Sequence, residues 1–306
     1  MRTPMRTDRV RRATTAALAA SALLLGACGG AGDGAGADGP LIVTRGQDFS
    51  EARTLTKAYA LYLESLGYPV EVLTAAGFRT EANAALEADE INLLIDYIGG
   101  SQTALAPDAP TSSDADVIMA TLRPLWAERG VTVLDYTPGI DGDALIVRDD
   151  FPATTISDLA ALDVVFGASA QCFERPQCYV GLTDPQVYGL EFTETRTLEF
   201  GPLLGAALMA GEVDAVIWND TAPQIEVDGF RVLIDDRGLF PAQNIAPIVK
   251  DELIAAYGDA LVEALNRLSA LITTEDLIAW NVATDLEFRE PIDVARDWLT
   301  EQGLLD

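Results

Sequence analysis

From residue 41 onward, short apolar runs alternate with stretches whose apolar residues fall on one helical face. Leu41-Ile42-Val43 reads as a strand, and between Ser50 and Leu66 the residues Leu55, Tyr59, Tyr62, Leu63 and Leu66 recur at helical spacing. Pro69 to Leu73 alternates apolar and polar as a second strand. Thr80–Ala88 reads as a short helix, and Ile91–Ile98 is an apolar run closed by Gly99-Gly100. This βαβαβ order predicts an α/β fold with a largely parallel sheet and right-handed crossovers. Beyond Pro107 and Pro110, Asp114–Arg129 reads as a helix and Val131–Asp135 as a strand, before Thr137-Pro138-Gly139 interrupts the pattern.

A second α/β block follows. It has strands at Ala144–Val147, Val164–Gly167, Arg196–Phe200, Ala215–Trp218 and Arg231–Ile234, a helix starting near Ser157, a helix at Pro202–Ala210, and an end at Phe240-Pro241. From Ala246 the chain reads as helical throughout, including Asp251–Ile272 and Pro291–Gln302, with Pro291 suited to a first turn and Gly303 to a stop. Helices without strands form no third sheet, so they are expected to pack back on the first block. Trp126, Trp280 and Trp298 fall at helical spacing with other apolar residues and read as core. No repeat of 20–50 residues is visible.

The start of the chain has a different character. Arg2, Arg6, Arg9, Arg11 and Arg12 precede an alanine- and leucine-rich run from Ala16 to Leu25. Such a run of about ten residues is half the length needed to span a bilayer core, and the pattern is that of a secretion signal. Leu25-Gly26-Ala27-Cys28 resembles the lipobox of bacterial lipoproteins, in which the cysteine thiol receives the lipid. The implied organisation is a lipoprotein signal peptide at 1–27 and a flexible Gly/Ala/Asp tether at 28–40, which cannot build a core. The globule would be extracytoplasmic and held to the membrane through lipidated Cys28.

Charge and composition narrow the function. The chain has 306 residues, 48 Asp and Glu against 20 Lys and Arg, a formal net charge of −28, and no histidine. Removing residues 1–27, with five Arg and one Asp, leaves 15 basic and 47 acidic residues, or −32. Nucleic acid is excluded as a partner because phosphate neutralisation needs a basic surface. Triads using histidine, His-ligated zinc and His-ligated haem are excluded outright. Cys172 and Cys178, outside the cytoplasm, are expected to close a disulfide, with two free thiols as the alternative. No metal or cofactor is implied: a metal site would need further soft ligands, and no Asp-x-Asp-x-Asp-Gly calcium loop with its terminal Glu is present.

Several motifs recur in a set order. They are Gly46-Gln47-Asp48-Phe49-Ser50-Glu51, Ala85 to Leu93 followed by Asp96-Tyr97-Ile98-Gly99-Gly100, Asp141 to Val147, Ile156 to Leu159 and Glu174-Arg175-Pro176. Val187-Tyr188-Gly189, Gly211 to Asp214, Asp235-Asp236-Arg237, Pro291 to Arg296 and Gln302-Gly303-Leu304 follow. In order and spacing, from Leu41 to Leu305, they resemble the substrate-binding proteins of osmoprotectant ABC importers, of the glycine betaine/choline/carnitine type. The resemblance implies a two-lobed periplasmic-binding-protein fold (type II-like) with two crossovers, near Pro138–Asp143 and Gln243–Pro247. Lobe 1 would comprise 41–140 and 246–306, and lobe 2 would comprise 141–245. A small-molecule solute would close between them, and the protein, a monomer without catalysis, would deliver it to ABC permease subunits.

The resemblance also places a ligand site, and there this chain departs from the family. The family holds a quaternary ammonium in a cage of tyrosines, because a bulky cation without N–H donors is held by π faces. Of four such positions only Tyr97 is aromatic here; the others are Asp143, Asn219 and Gln243, with Trp218 beside Asn219. Three lost faces at about 0.5–2 kcal/mol each predict betaine binding weakened about a hundredfold or more. The polar replacements suit a ligand bearing N–H or O–H donors, such as a small zwitterion, an amine or a polyol. Arg175, inside the two-cysteine loop, is positioned to clamp a carboxylate, against an ordinary surface salt bridge as the bland reading. Gln47, Asp48 and Ser50 open the first helix, where free N–H groups favour an anionic ligand group, unless Asp48 or Ser50 is simply the N-cap. Gly100 allows close backbone approach beside Tyr97.

Asp141 and Asp143 flank Gly142 at the first crossover, where family position implies contact with the ligand, against solvated loop carboxylates as the bland reading. A paired-carboxylate glycosidase could be read there, but such adjacency is expected by chance among 48 acids. An extracellular enzyme finds no nucleophile–base pair and no metal set in this sequence. A ligand-responsive sensor would share the same two lobes.

Overall fold

The computed structural model describes residues 39–305. The signal segment 1–27, Cys28 and the tether as far as residue 38 lie outside the described residues. The first block runs β1 (Ile42–Thr44), α1 (Ser50–Ser65), β2 (Val70–Val72), α2 (Arg79–Glu87), β3 (Leu93–Tyr97), α3 (Ile98–Leu105), α4 (Ala115–Ala127) and β4 (Val131–Val133). The second contains β5 (Asp143–Arg148), β6 (Val165–Ala168), the single turn α5 (Gly181–Thr183), β7 (Glu194–Thr197), α6 (Pro202–Met209), β8 (Ala215–Asn219), α7 (Gln224–Val227) and β9 (Phe230–Val232). The chain then returns through β10 (Ile245–Lys250) to α8 (Asp251–Tyr257), α9 (Asp259–Ser269), α10 (Thr274–Asn281) and α11 (Pro291–Glu301).

Two five-stranded sheets result, in the orders β2-β1-β3-β10-β4 and β7-β6-β8-β5-β9. Each has three parallel strands and, in fourth place, a strand antiparallel to both neighbours: β10 in the first sheet, β5 in the second. The reading of 246 onward as helical is therefore corrected, because Ile245–Lys250 forms a strand inside the first sheet. Pro247 hid it, since proline is normally confined to sheet edges. Its carbonyl accepts from the Leu134 amide at 2.9 Å, and pairing with β4 runs only from Ile248 to Lys250. The N–H that proline lacks thus falls where the ladder ends.

Other departures are local. The expected helix 251–272 breaks at Gly258, whose φ of 67° is costly for any residue with a Cβ. The helix expected near Ser157 is one 3₁₀ stretch, Ile156–Ala161, with Thr155 and Asp158 capping each other. The strand expected at 196–200 ends at Thr197, which leaves Phe200 outside the sheet.

On one face of the first sheet, α1, α9, α10 and α11 pack a core that includes Leu55, Tyr59, Leu265, Trp280 and Trp298; the other face is covered through Leu86, Ile98, Ile118 and Trp126. The C-terminal helices thus return to the first block as expected, and all three core tryptophans are buried. The chain crosses between the sheets through residues 134–142 and 233–244. The two crossings run side by side, joined by an antiparallel bridge between Ile140 and Asn244. The second overlaps the expected Gln243–Pro247 only at Gln243 and Asn244, because Ile245 already begins β10. No helix among the described residues is long and apolar enough to cross a membrane.

Candidate functional site

A cavity of about 1000 Å³ is lined by residues of both blocks. Phe49, Ser50 and Glu51 at the N-cap and first turn of α1, with Asn281 at the end of α10 and Asp285 and Leu286 beyond it, come from the first. Asp141 on the first crossing and residues around β5, β7 and β8 complete it. A π-helical turn at Val282–Leu286 follows α10 directly. This change of helical repeat brings Asn281 and Asp285, four residues apart, onto the same wall; such turns are frequent at functional sites.

Six sequence-selected residues line the cavity: Ser50, Asp141, Asp143, Arg175, Trp218 and Asn219. Asp143 sits opposite Asn219 in the β5–β8 register and pairs with Arg175. Cys172 and Cys178 form a disulfide, and Arg175 lies within the loop it closes. Trp218 is 5% exposed and packs over Gly205, where a Cβ would come within 3.0 Å of the indole.

The other five do not reach the wall. Gln47 is buried and donates to Asp96 Oδ1 at 3.0 Å. Asp48 pairs with Arg53 and borders a separate 440 Å³ cavity near the start of α11. Neither supplies donors to an anionic ligand group, and neither caps α1, whose N-cap is Phe49 without a side-chain bond. Gly100 donates its amide to Gln243 Oε1 at 2.9 Å, so these two residues satisfy each other behind the cavity. A Cβ on Gly100 would collide with the Arg79 guanidinium at 2.4 Å. Its lack of a side chain therefore admits Arg79, which bonds both oxygens of buried Asp96 through Nε. Tyr97 is 3% exposed, stacks on Phe49 with ring centroids 6.0 Å apart, and donates its hydroxyl to Glu51 Oε1 at 2.6 Å. It supports the wall instead of forming it.

Glu51, Asn281 and the wall aromatics Phe49 and Phe200 were not singled out from sequence. Glu51 stood inside a quoted motif, but a first-turn glutamate reads as ordinary helix-dipole complementarity. Asn281 was visible only as one polar residue in an apolar helix, and Phe200 was assigned to a strand.

The floor of the cavity is a connected polar network. Glu51 Oε2 accepts from Asn281 Nδ2 at 2.8 Å, which also donates to the Thr221 carbonyl at 3.0 Å. Asp141 Oδ1 accepts from Asn219 Nδ2 at 2.7 Å and Thr221 Oγ1 at 2.9 Å. Asp220, 8% exposed, accepts from the Gly142 amide at 3.0 Å. Burial, and then the Asp141 charge, push the carboxyls of Glu51 and Asp220 well above the usual carboxylate range. Burial raises Asp141 as well, against its hydrogen bonds from Thr221 and Asn219. Burial and the neighbouring Glu51 and Asp141 charges likewise keep the Tyr97 hydroxyl protonated.

The wall carries five carboxyl side chains (Glu51, Asp141, Asp143, Glu199, Asp285), one guanidinium already paired with one of them, and aromatic faces from Phe49, Phe200 and Trp218. That combination favours a small organic cation or zwitterion over an anion. Among the described residues, no group of three or more His, Cys, Asp or Glu is placed to hold a metal ion.

Comparisons with known proteins agree with this architecture. Residues 41–301 match the model of the family described as the substrate binding domain of ABC-type glycine betaine transport systems. A glycine-betaine-binding protein of Pseudomonas aeruginosa is 28% identical over 282 residues, covering 85% of this chain and 88% of that protein. A carnitine transport binding protein of Listeria monocytogenes is 21% identical over 248 residues, covering 78% of this chain and 79% of that one. Among solved structures, a glycine betaine/carnitine/choline ABC transporter protein superposes with a TM-score of 0.79 at 22% identity, covering 87% of this chain and all of that one. The shared fold is the two-lobed α/β fold of substrate-binding proteins, which work outside the cytoplasm, hold a small solute and meet a permease. The chain belongs to the family of substrate-binding domains of ABC-type glycine betaine transport systems.

Proposed function

We propose that this protein captures a small zwitterionic or cationic solute whose charged nitrogen carries N–H donors, and hands it to an ABC permease without transforming it. The observation that carries this reading is the acidic wall of the interlobe cavity, where the single Arg175 is already paired with Asp143. A permethylated ammonium would bury the carboxyl oxygens that still lack a donor, such as Asp141 Oδ2, without returning a hydrogen bond, at about 1–3 kcal/mol for each group left unpaired. A donor-bearing nitrogen satisfies them, while Phe49, Phe200 and Trp218 supply apolar and π contact.

Lobe 1 (41–140 and 246–306) and lobe 2 (141–245) are proposed to close over the solute about the paired crossings. Lipidated Cys28 and the tether would keep the monomer beside its permease. A thermal-shift screen over amino acids, amines, polyols and betaines tests the ligand class, because a ligand at a hundred times its dissociation constant stabilises the folded form by about 2.7 kcal/mol. Amines or N–H-bearing zwitterions should give the largest shifts. A screen in which only polyols or anions stabilise would refute the reading.

A further inference from the structure

The reading of the cleft as a cation or zwitterion site leaves open what neutralises its floor before the solute arrives. Glu51 and Asp141 share one wall and are linked through Asn281, which donates to Glu51 and to the Thr221 carbonyl, and through the Thr221 hydroxyl, which donates to Asp141. Neither carboxylate has a donor of its own, so a proton between them is what relieves their repulsion away from water. The surrounding bonds leave room for it. Both oxygens of Glu51 accept, from Tyr97 and Asn281, whereas the side-chain donors to Asp141, Asn219 and Thr221, both fall on Oδ1. Among the described residues, Asp141 Oδ2 therefore has no protein N–H or O–H donor apart from that proton.

The charged and titratable groups around the pair offer no substitute counter-ion. Tyr97 and Asp96 face it from β3, and Asp220 from the turn after β8. Arg79 on α2 is taken up by Asp96, and Arg175 by Asp143. Asp285 joins the wall beyond α10. A second, independent observation comes from Gln224, on the same wall: its Oε1 is buried and accepts no hydrogen bond. Protein groups leave this acceptor unmatched beneath the wall, and a rotation of the Gln224 side chain would bring it to an N–H-bearing solute.

We propose that Glu51 and Asp141 form the cation subsite of the cleft and work by exchange: the empty pair holds one proton, and the solute's ammonium replaces it as counter-ion. The proton leaves the carboxyl oxygen for solvent, the O–H bond breaks, and N–H···O bonds to the two carboxylates take its place. One cation enters and one proton departs, so the charge of the floor is the same before and after. Burial and mutual repulsion, which hold Glu51 well above the usual carboxylate range, keep the proton in place at neutral pH. Affinity then rises about tenfold per pH unit wherever the empty pair is protonated and the occupied pair is not.

Two measurements on the full chain separate this exchange from the ligand reading on which it rests. In the ligand-free protein at neutral pH, with Asp220→Asn as the common background to remove the other strongly raised carboxyl, infrared spectroscopy should show a neutral carboxyl group that is missing once Asp141→Asn is added. That variant keeps an oxygen for Asn219 and Thr221 and offers an N–H to Glu51; its circular dichroism and melting curve report whether it is folded. Isothermal calorimetry in buffers of different ionisation heat, with glycine, sarcosine, dimethylglycine and glycine betaine as probes, should show about one proton released per N–H-bearing zwitterion bound, and none released by Asp141→Asn.

Absence of the neutral carboxyl overturns the exchange, whatever binds. Binding without proton release overturns it also, while leaving the ligand class intact. Glycine betaine binding with the same proton release overturns the N–H requirement. If no probe binds, the cation reading of the cleft fails and the exchange falls with it, even with the carboxyl band present.

Discussion

The side-chain amide of Asn281 donates to Glu51 Oε2 at 2.8 Å and, from the same nitrogen, to the Thr221 carbonyl at 3.0 Å. One group on α10 thus joins the start of α1 to the segment after β8, and so ties one lobe to the other beneath the cavity. All three residues are buried, so water cannot replace the amide cheaply. Asn281→Ala should therefore lower stability by about 1–3 kcal/mol, read as a shift in the urea midpoint. It should also loosen the lobes, read as a larger radius of gyration by small-angle scattering. A stability loss with unchanged scattering would assign Asn281 to packing alone.

The pH dependence of stability has a definite sign. Asp220 is held well above the usual carboxylate range by burial and then by the Asp141 charge, so the folded protein binds this proton more tightly than the unfolded chain does. Its stabilising contribution is full below the unfolded carboxylate value and is lost as pH rises toward the folded one. Asp220→Asn preserves an oxygen for the Gly142 amide and has no charge to bury. The variant should match the parent at about pH 4 and exceed it in denaturation midpoint at about pH 8. An equal difference at both pH values would place the effect in packing instead.

How much of this was legible depended on which signal dominated locally. Helix α1 and strand β3 were read closely because their apolar spacing is regular and their ends are marked by Ser50 and by Gly99-Gly100. Strand β10 was lost because Pro247 argues against a central strand, and nothing in sequence shows that its N–H would fall where a neighbour's ladder stops. In the site, Asp141, Asp143, Arg175, Trp218 and Asn219 were reached through motif order, which preserves position along the chain. Gln47, Gly100 and Gln243 stood in the same motifs but face away from the cavity, since motif order says nothing of which side a residue faces. Gln47 turns to Asp96, and Gly100 and Gln243 to each other. Glu51 and Asn281, separated by 230 positions, acquire meaning only as partners, a relation that no spacing rule along one chain reveals.

The anchoring expectation concerns Cys28, outside the described residues, and is tested apart from the fold. Cys28→Ser removes the thiol that would carry lipid while leaving the globule from Leu41 onward unaltered. The variant should shift from the membrane fraction to the soluble or unprocessed fraction after a carbonate wash, with its thermal-shift response to solutes unchanged. Full retention on membranes would mean that another element does the anchoring.

The disulfide and Arg175 form one device. Cys172 and Cys178 are joined, and the loop they close is too short for a large effect on the unfolded chain, so replacing both with alanine should cost only about 1–3 kcal/mol. The sharper consequence lies at Arg175, which the loop holds against Asp143 on β5. In the free protein each neutralises the other; a zwitterion entering the cleft would set its carboxylate on Arg175 and its ammonium on the acidic wall. A charge-assisted bond contributes about 1.5–3 kcal/mol, so Arg175→Ala should weaken sarcosine binding by about ten- to a hundredfold. Ethanolamine, which has no carboxylate, should bind as well or better, because Asp143 is released to meet its ammonium. Calorimetry with both ligands on parent and variant separates the roles, and an equal loss for the two would show that Arg175 shapes the wall instead of contacting a carboxylate.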